Sequence, residues 1–298
     1  MTEPPTTESV DPRYAEIDTA SVAELAALMN AADAEVPCAV HTALPQIVPA
    51  IEAVAARMRS GGRLLYVGAG TPGRMGVLDA SECPPTFGTS PDLVRGIIAG
   101  GAAAMFSAQE GVEDDEDAGR AAIAAEGVGP ADSVLGLAAS GRTPYVVAAV
   151  AEARTRGALT IGLSCNSGTQ LSAAAEHAIE VPVGGEVLAG STRLKAGTAQ
   201  KLVLNMFSTI VMVQMGKTYG NLMVDLTVTN AKLRERAIRM VSRVTGASAV
   251  DAAAALEASG MRVKLAILRI EKGLDADEAL ARLAAVGGRL RAAMDGAP

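Results

Sequence analysis

The sequence predicts an α/β protein: a doubly wound, largely parallel sheet flanked by helices, with N-terminal helices and a small C-terminal helical bundle. Three observations predict this. Apolar runs of strand length recur along the middle of the chain, at Leu64–Val67, Val94–Ile98, Ser133–Leu137, Leu159–Leu163 and Ala178–Val183. Helical patterns separate them, at Arg74–Leu78, Ala103–Glu110, Asp114–Ala124, Thr143–Thr155 and Gln170–Glu176. Runs of this kind belong to strands covered on both faces, the usual condition of a parallel sheet. The third observation is a change of composition after Gly220-Asn221, beyond which short helical patterns follow one another. The expected divisions are 1–54 (arm and helices), 55–222 (sheet domain) and 223–298 (helical domain).

Composition narrows the function. With 298 residues, 49% of them hydrophobic and 20% charged, the chain can bury a sizeable core and is not disordered. It has no Trp, three Phe and four Tyr, so its core must be aliphatic and stacking on bases is not expected. A net charge of −7 argues against nucleic acid and anionic membrane as partners. An anionic small substrate then needs a local positive pocket. Cys38, Cys83 and Cys165 are odd in number and widely spaced, with no zinc pattern and no disulfide framework, which fits a reducing cytoplasm. The N-terminus has no basic start and no apolar core of a signal peptide, and the run Leu202–Met215 is too short and interrupted to span a bilayer.

In chain order, residues 1–15 read as a flexible arm. Helical patterns cover Ser21–Asn30 and Leu44–Arg59, the first with Ser21 and Glu24 at capping-box spacing, and Val36–Ala43 joins them. His41 reads as an ordinary surface or interface histidine. At Gly68–Gly73 a glycine-rich turn follows the first strand and leads into a helix. Such a turn aims N–H groups and a helix N-terminus at an anion, although a plain βα turn looks the same. It is not a Walker A loop, since no Gly-Lys-Ser/Thr follows. Ligands of doubly wound sheets sit beyond the carboxyl ends of the strands. There, Gly70 and Thr71, then Ser140 to Thr143, then Ser164 to Gly168 supply Gly with Ser, Thr or Asn. These hydroxyls suit phosphate oxygens, and serve equally as helix N-caps. Ser191, Thr192, Arg193 and Lys195 precede an apolar helix over Thr198–Met215 and suit an anion again, with salt bridges to surface acids as the alternative. The helical patterns Ala231–Arg243, Ser248–Ala258, Met261–Glu271 and Ala276–Ala285 carry no catalytic cluster.

Two acids stand out. Glu82 sits in Ser81–Glu82–Cys83–Pro84–Pro85, which the prolines are expected to keep from regular helix. Glu113 sits in the acidic run Glu110–Asp117, which on pattern alone reads as a solvated helix start.

The segments GGRLLYVGAGTPGRMGVLDASECPPTFG, EGVEDD, AASGRTPYV, IGLSCN, GSTRLKAGTAQKLVLNM and GKTYGNLMVDL resemble the N-acetylmuramic acid 6-phosphate etherases. The resemblance runs from about Asp18 nearly to the C-terminus. It implies the sugar isomerase (SIS) fold, a phosphosugar ligand and a homodimer with active sites near the interface. It also implies a lyase that cleaves the lactyl ether of N-acetylmuramic acid 6-phosphate to N-acetylglucosamine 6-phosphate and D-lactate, in amino sugar and cell-wall recycling. No metal or other cofactor is implied. Carried over by motif, Glu82 is the proton donor to the departing lactate, and Glu113 is the second active-site glutamate, assigned as the base at C2. Gly70, Thr71, Ser140, Gly141, Arg142 and Thr143 would form the sugar-phosphate pocket, with Ser191, Thr192 and Lys195 near phosphate or the lactyl carboxylate. One departure is Pro72, where the family usually has Ser. A non-catalytic phosphosugar sensor, like the glucokinase regulatory protein that resembles these etherases, is the alternative. An aldose–ketose isomerase lacks the DASECPP segment's support.

Overall fold

Strands buried on both faces need every backbone group paired, and here they pair in one five-stranded, all-parallel sheet. In the computed structural model, which describes residues 5–296, the strands are β1 (Leu64–Gly68), β2 (Val94–Ile98), β3 (Ser133–Leu137), β4 (Leu159–Ser164) and β5 (His177–Glu180). Their order is β2-β1-β3-β4-β5. The register sets Leu64 opposite both Val94 and Ser133, so the carboxyl ends of β1, β2 and β3 finish level at Gly68, Ile98 and Leu137. The chain winds outward from β1 to β2, then returns to the other side of β1 to lay down β3. That reversal opens a crevice beyond the carboxyl ends of β1 and β3.

The chain folds as two compact units. The first comprises the residues up to Ser81 with Asp92–Ser208 and contains the whole sheet. On one sheet face, Leu65, Val67 and Val134 form a core with Ile123 of α5 (Glu116–Ala125), Val146, Ala149 and Val150 of α6 (Pro144–Thr155), and Leu171 of α7 (Gln170–Ala174). Before the sheet come α1 (Val22–Ala34), α2 (Val36–Thr42) and α3 (Leu44–Arg59). Ser21 and Glu24 form the expected capping box on α1. The expected link 36–43 is instead α2, because Pro37 stands in its first turn, where its missing N–H costs nothing. α3 packs against β4 and β5, and Gln46 accepts a 2.7 Å hydrogen bond from the Glu180 N–H. No single helix among the described residues is long and apolar enough to cross a membrane; one pair bent by 62°, Val22–Thr42 with Leu44–Arg59, passes by length and composition only.

Three further expectations are corrected. Residues 1–4 of the expected arm lie outside the described residues, but 5–15 are anchored: Thr6–Glu8 and Pro12–Tyr14 are 3₁₀ turns, with Thr7 and Tyr14 buried. The pattern at 103–110 forms only the 3₁₀ turn Gly101–Met105. Helix α4 (Gly70–Phe87) starts at the glycine turn rather than near Arg74, and it runs through Pro84 and Pro85. Proline's fixed φ is close to the helical value, and a pair this near the helix end removes only donors of the final turns. The Gly88 N–H closes that end on the Pro84 carbonyl at 2.9 Å. α4 can start so tightly because Gly68 and Gly73 touch: a Cβ on Gly68 would lie 2.6 Å from the Gly73 nitrogen. Farther along α4, Asp79 is buried and accepts hydrogen bonds from Tyr66 (2.9 Å), Asn205 (2.7 Å) and Ser208 (3.1 Å). Burial lifts its carboxyl above the usual range, and the three donors pull it back.

Helix α8 (Lys195–Gln214) begins in the first unit and crosses its boundary at Ser208. The second unit comprises Glu82–Pro91 and the residues from Thr209 on. It contains α9 (Ala231–Thr245), α10 (Ala249–Glu257), α11 (Val263–Lys272), α12 (Ala276–Ala285) and α13 (Leu290–Asp295), all close to the expected bundle. Their core includes Val241, Leu256, Leu265, Ile267 and Leu268.

Candidate active site

The crevice beyond β1 and β3 holds a cavity of about 450 Å³. Ala69, Gly70, Thr71 and Pro72 line it from the turn after β1, and Ala139, Ser140, Arg142, Thr143 and Pro144 from the turn after β3. Glu113, Asp114, Thr192 and Glu8 complete the lining.

Each wall is set by local chemistry. Gly70, Thr71 and Pro72 are the opening residues of α4, so the positive end of that helix faces the cavity. Pro72 lies in this first turn, where its ring fits the helix but supplies no N–H. At the start of α6 the N–H groups are committed: Tyr145 donates to the Glu113 carbonyl and Val146 to the Thr143 carbonyl, both at 3.0 Å. That wall therefore offers the hydroxyls of Ser140 and Thr143 and the guanidinium of Arg142, the one cationic side chain among the lining residues.

Gly141 does not line the cavity; it shapes the turn. Its φ is +68°, its N–H donates to Ala138, and its carbonyl accepts from Leu171. A Cβ there would lie 2.4 Å from the Thr169 Cβ. Gly141→Ala should therefore lower stability by about 1–3 kcal/mol, read as a fall in Tm; an unchanged Tm would mean the turn relaxes freely.

The acidic run divides into two parts. Asp115 is the N-cap of α5, accepting from the Ala118 N–H at 2.8 Å, so the solvated helix start is Asp115–Asp117. Glu113 lies outside the helix, and the bond from Tyr145 ties its backbone to the start of α6. Its side chain is exposed at the cavity.

The loop before α8 is used differently from its sequence reading. Thr192 lines the cavity and Ser191 does not. Lys195 is fully buried and turned away: its Nζ donates to the Val183 carbonyl at 2.7 Å and lies 3.8 Å from Glu35. The N-terminus of α8 is filled by the chain's own buried Glu186, which accepts from the N–H groups of Lys195 (2.9 Å) and Ala196 (3.0 Å). Nearby, Cys165 is fully buried, and burial pushes its thiol up to about 12, which rules out a thiolate nucleophile at neutral pH.

Seven residues singled out from sequence thus line one cavity: Gly70, Thr71, Glu113, Ser140, Arg142, Thr143 and Thr192. Glu82 is not among the lining residues; it is exposed and belongs to the second unit. Sequence reasoning missed Glu8, which no periodicity or motif marks. Among the described residues no group of three or more His, Cys, Asp or Glu is placed to hold a metal ion.

Donors for an anion at one wall and a carboxylate at another suit a sugar phosphate undergoing proton abstraction. Residues 46–154 match the glucokinase regulatory protein N-terminal SIS domain, 101–210 the SIS domain, and 220–274 the C-terminal lid domain of glucokinase regulatory protein. The chain is similar to proteins named N-acetylmuramic acid 6-phosphate etherase. Identity is 56% with that of Streptomyces avermitilis, over 98% of this chain and 94% of the relative. It is 57% with that of Rubrobacter xylanophilus (97% and 95%) and 50% with that of Escherichia coli O17:K52:H18 (97% and 97%). Among solved structures, a phosphoheptose isomerase from Francisella tularensis shares the fold, with a TM-score of 0.52 and 20% identity over 65% of this chain and 100% of that one.

Proposed function

The chain belongs to the N-acetylmuramic acid 6-phosphate etherase family, and from that premise we infer that it is a carbon–oxygen lyase acting on this sugar phosphate. It releases D-lactate and N-acetylglucosamine 6-phosphate in cell-wall recycling. The observation that carries the reading is the meeting of Glu113 with the anion-suited turns of β1 and β3 in one cavity.

The phosphate is held by the N-terminus of α4, the hydroxyls of Thr71, Ser140 and Thr143, and Arg142. In the open-chain sugar the C1 aldehyde acidifies the C2 proton. Glu113 takes that proton, the C3–oxygen bond breaks, and the departing lactate oxygen is protonated. Water then adds across the C2–C3 double bond, its hydroxyl going to C3 and a proton returning to C2. Positioned carboxylates suffice for these transfers. We assign protonation of the lactate to Glu82. We read the site as shared in a homodimer, with Glu82 of one copy serving the cavity of the other. Three free cysteines accord with a cytoplasmic location.

The test is D-lactate release by the wild type, by Glu82→Ala, by Glu113→Ala and by a refolded mixture of the two variants. Each variant alone loses most activity, and the mixture regains part of it, because a mixed dimer contains one intact site. Recovery that fails to appear overturns the shared site. A wild type that binds the sugar phosphate but releases no lactate overturns the enzyme reading. It would favour the sensor reading that the glucokinase regulatory protein domain matches suggest.

Pro72 gives a separate expectation. Serine at this position returns one N–H and adds a hydroxyl at the cavity wall. Pro72→Ser should tighten sugar-phosphate binding by about tenfold, the worth of one hydrogen bond to a charged group. Unchanged affinity by calorimetry would show that the first turn of α4 does not touch the phosphate.

A further inference from the structure

Glu8 is the one cavity residue that comes from neither a strand-end turn, the acidic run nor the loop before α8. The segment that carries it is held on both sides. Before it, Thr7 is fully buried on Asn166, itself nearly buried just past β4. The Asn166 side-chain oxygen accepts from the Thr6 hydroxyl (2.7 Å) and the Thr7 N–H (3.3 Å), while its amide group donates to the Thr7 hydroxyl and the Ala139 carbonyl, both at 3.0 Å. The Asn166 amide is thereby used on both ends, and one bond ties the segment to the cavity-lining turn after β3. After Glu8, the Ser9 carbonyl lies against Gly185, 3.0 Å from where a Cβ would stand. Farther on, Arg13 pairs with Asp11 at 2.8 Å and Glu35 at 2.6 Å, and Tyr14 packs with Ala32 and Val187. The Glu8 carboxylate itself rests on Gly190, whose φ is +76° and where a Cβ would come within 2.9 Å of Oε2.

An ionised carboxylate only accepts hydrogen bonds. A phosphate dianion and a lactyl carboxylate are acceptors too and repel it. Of the groups on the sugar phosphate, only hydroxyls and the acetamido N–H can satisfy Glu8. We propose that Glu8 is a substrate-contacting specificity residue, carried to the cavity wall by the anchored N-terminal strap, whose carboxylate accepts a hydrogen bond from a hydroxyl or amide N–H of the bound sugar. This rests on the reading of the cavity as a sugar-phosphate site. It assigns the discrimination of sugar from bare phosphate to a segment outside the sheet.

The test uses the full chain and calorimetry with two probes, N-acetylglucosamine 6-phosphate and inorganic phosphate, beside the lactate assay. Glu8→Ala should weaken sugar-phosphate binding about tenfold or more, leave inorganic phosphate binding alone, and keep the wild-type Tm, since the side chain is exposed. Glu8→Gln, which retains an acceptor, should weaken it less than Glu8→Ala. Equal loss for both probes, or no loss for either, would overturn the proposal. A fallen Tm with equal losses would mean that Glu8 only braces the Gly190 loop, and that also overturns it. Lactate release is scored separately. A chain that binds the sugar phosphate through Glu8 without releasing lactate would refute the etherase reading while leaving Glu8 in place. A chain that releases lactate with no Glu8 effect on binding or KM would do the reverse.

Discussion

Glu113→Gln should lower kcat for lactate release by about 10²–10⁴-fold, the range lost when a positioned general base is removed. The amide keeps the size of the side chain and its place at the cavity but accepts no proton at neutral pH. Binding should survive, because the phosphate contacts we propose come from the α4 N-terminus, the hydroxyls of Thr71, Ser140 and Thr143, and Arg142. The loss therefore falls on kcat and kcat/KM together, with KM little moved. The backbone at this position is held by the 3.0 Å bond from the Tyr145 N–H, which the substitution leaves intact. Steady-state kinetics checks this; a change confined to KM would make Glu113 a binding group and leave the C2 base unassigned.

Lys264→Met should destabilise the second unit by about 3–5 kcal/mol, the usual result of breaking a buried ion pair by removing one partner. Lys264, on α11, is 4% exposed. Its three ammonium donors are all used: on the Gly216 carbonyl at 2.9 Å, on the Gly288 carbonyl at 2.8 Å, and on Asp225. Burial holds the ammonium below the usual lysine range, and the Asp225 carboxylate pulls it back. Methionine matches the length but leaves both carbonyls and Asp225 short of a partner, with only Lys217 still 3.6 Å from the carboxylate. Because Lys264 binds its proton more weakly folded than unfolded, its titration adds stability as pH rises toward 10.5. Urea unfolding of wild type and variant, followed from neutral pH upward, measures both effects. A loss under about 1 kcal/mol, the scale of an exposed pair, would contradict this account of Lys264.

The strands were legible because a parallel strand buried on both faces reads as an unbroken apolar run. Val94–Ile98 and Ser133–Leu137 coincide with β2 and β3. The start of α4 was not, because Gly70, Pro72 and Gly73 are poor helix formers, and the turn is fixed instead by the contact of Gly73 with Gly68. The proline pair misled for the opposite reason: a rule for helix interiors was applied to a helix end. Gly70, Thr71, Ser140, Arg142 and Thr143 could be found because ligands of such sheets meet the turns at the strands' carboxyl ends. Lys195 could not be placed, since its ammonium turns to the Val183 carbonyl and to Glu35, which no sequence pattern links to it. Nor could Glu8, whose position is set by Asn166, Gly185 and Gly190, all remote in sequence. Pattern alone read Glu113 as a solvated acid, and only the family resemblance gave it a role.

The central claim is that the ether is cleaved at C3 by elimination and hydration through the C2 proton. The most direct test is the reaction of N-acetylmuramic acid 6-phosphate with the purified protein in deuterated water, with the N-acetylglucosamine 6-phosphate product read by NMR. The account predicts that deuterium replaces the hydrogen at C2. Product formed with its original hydrogen at C2 would mean that the lactyl group is displaced without proton abstraction, and the role given to Glu113 would fall.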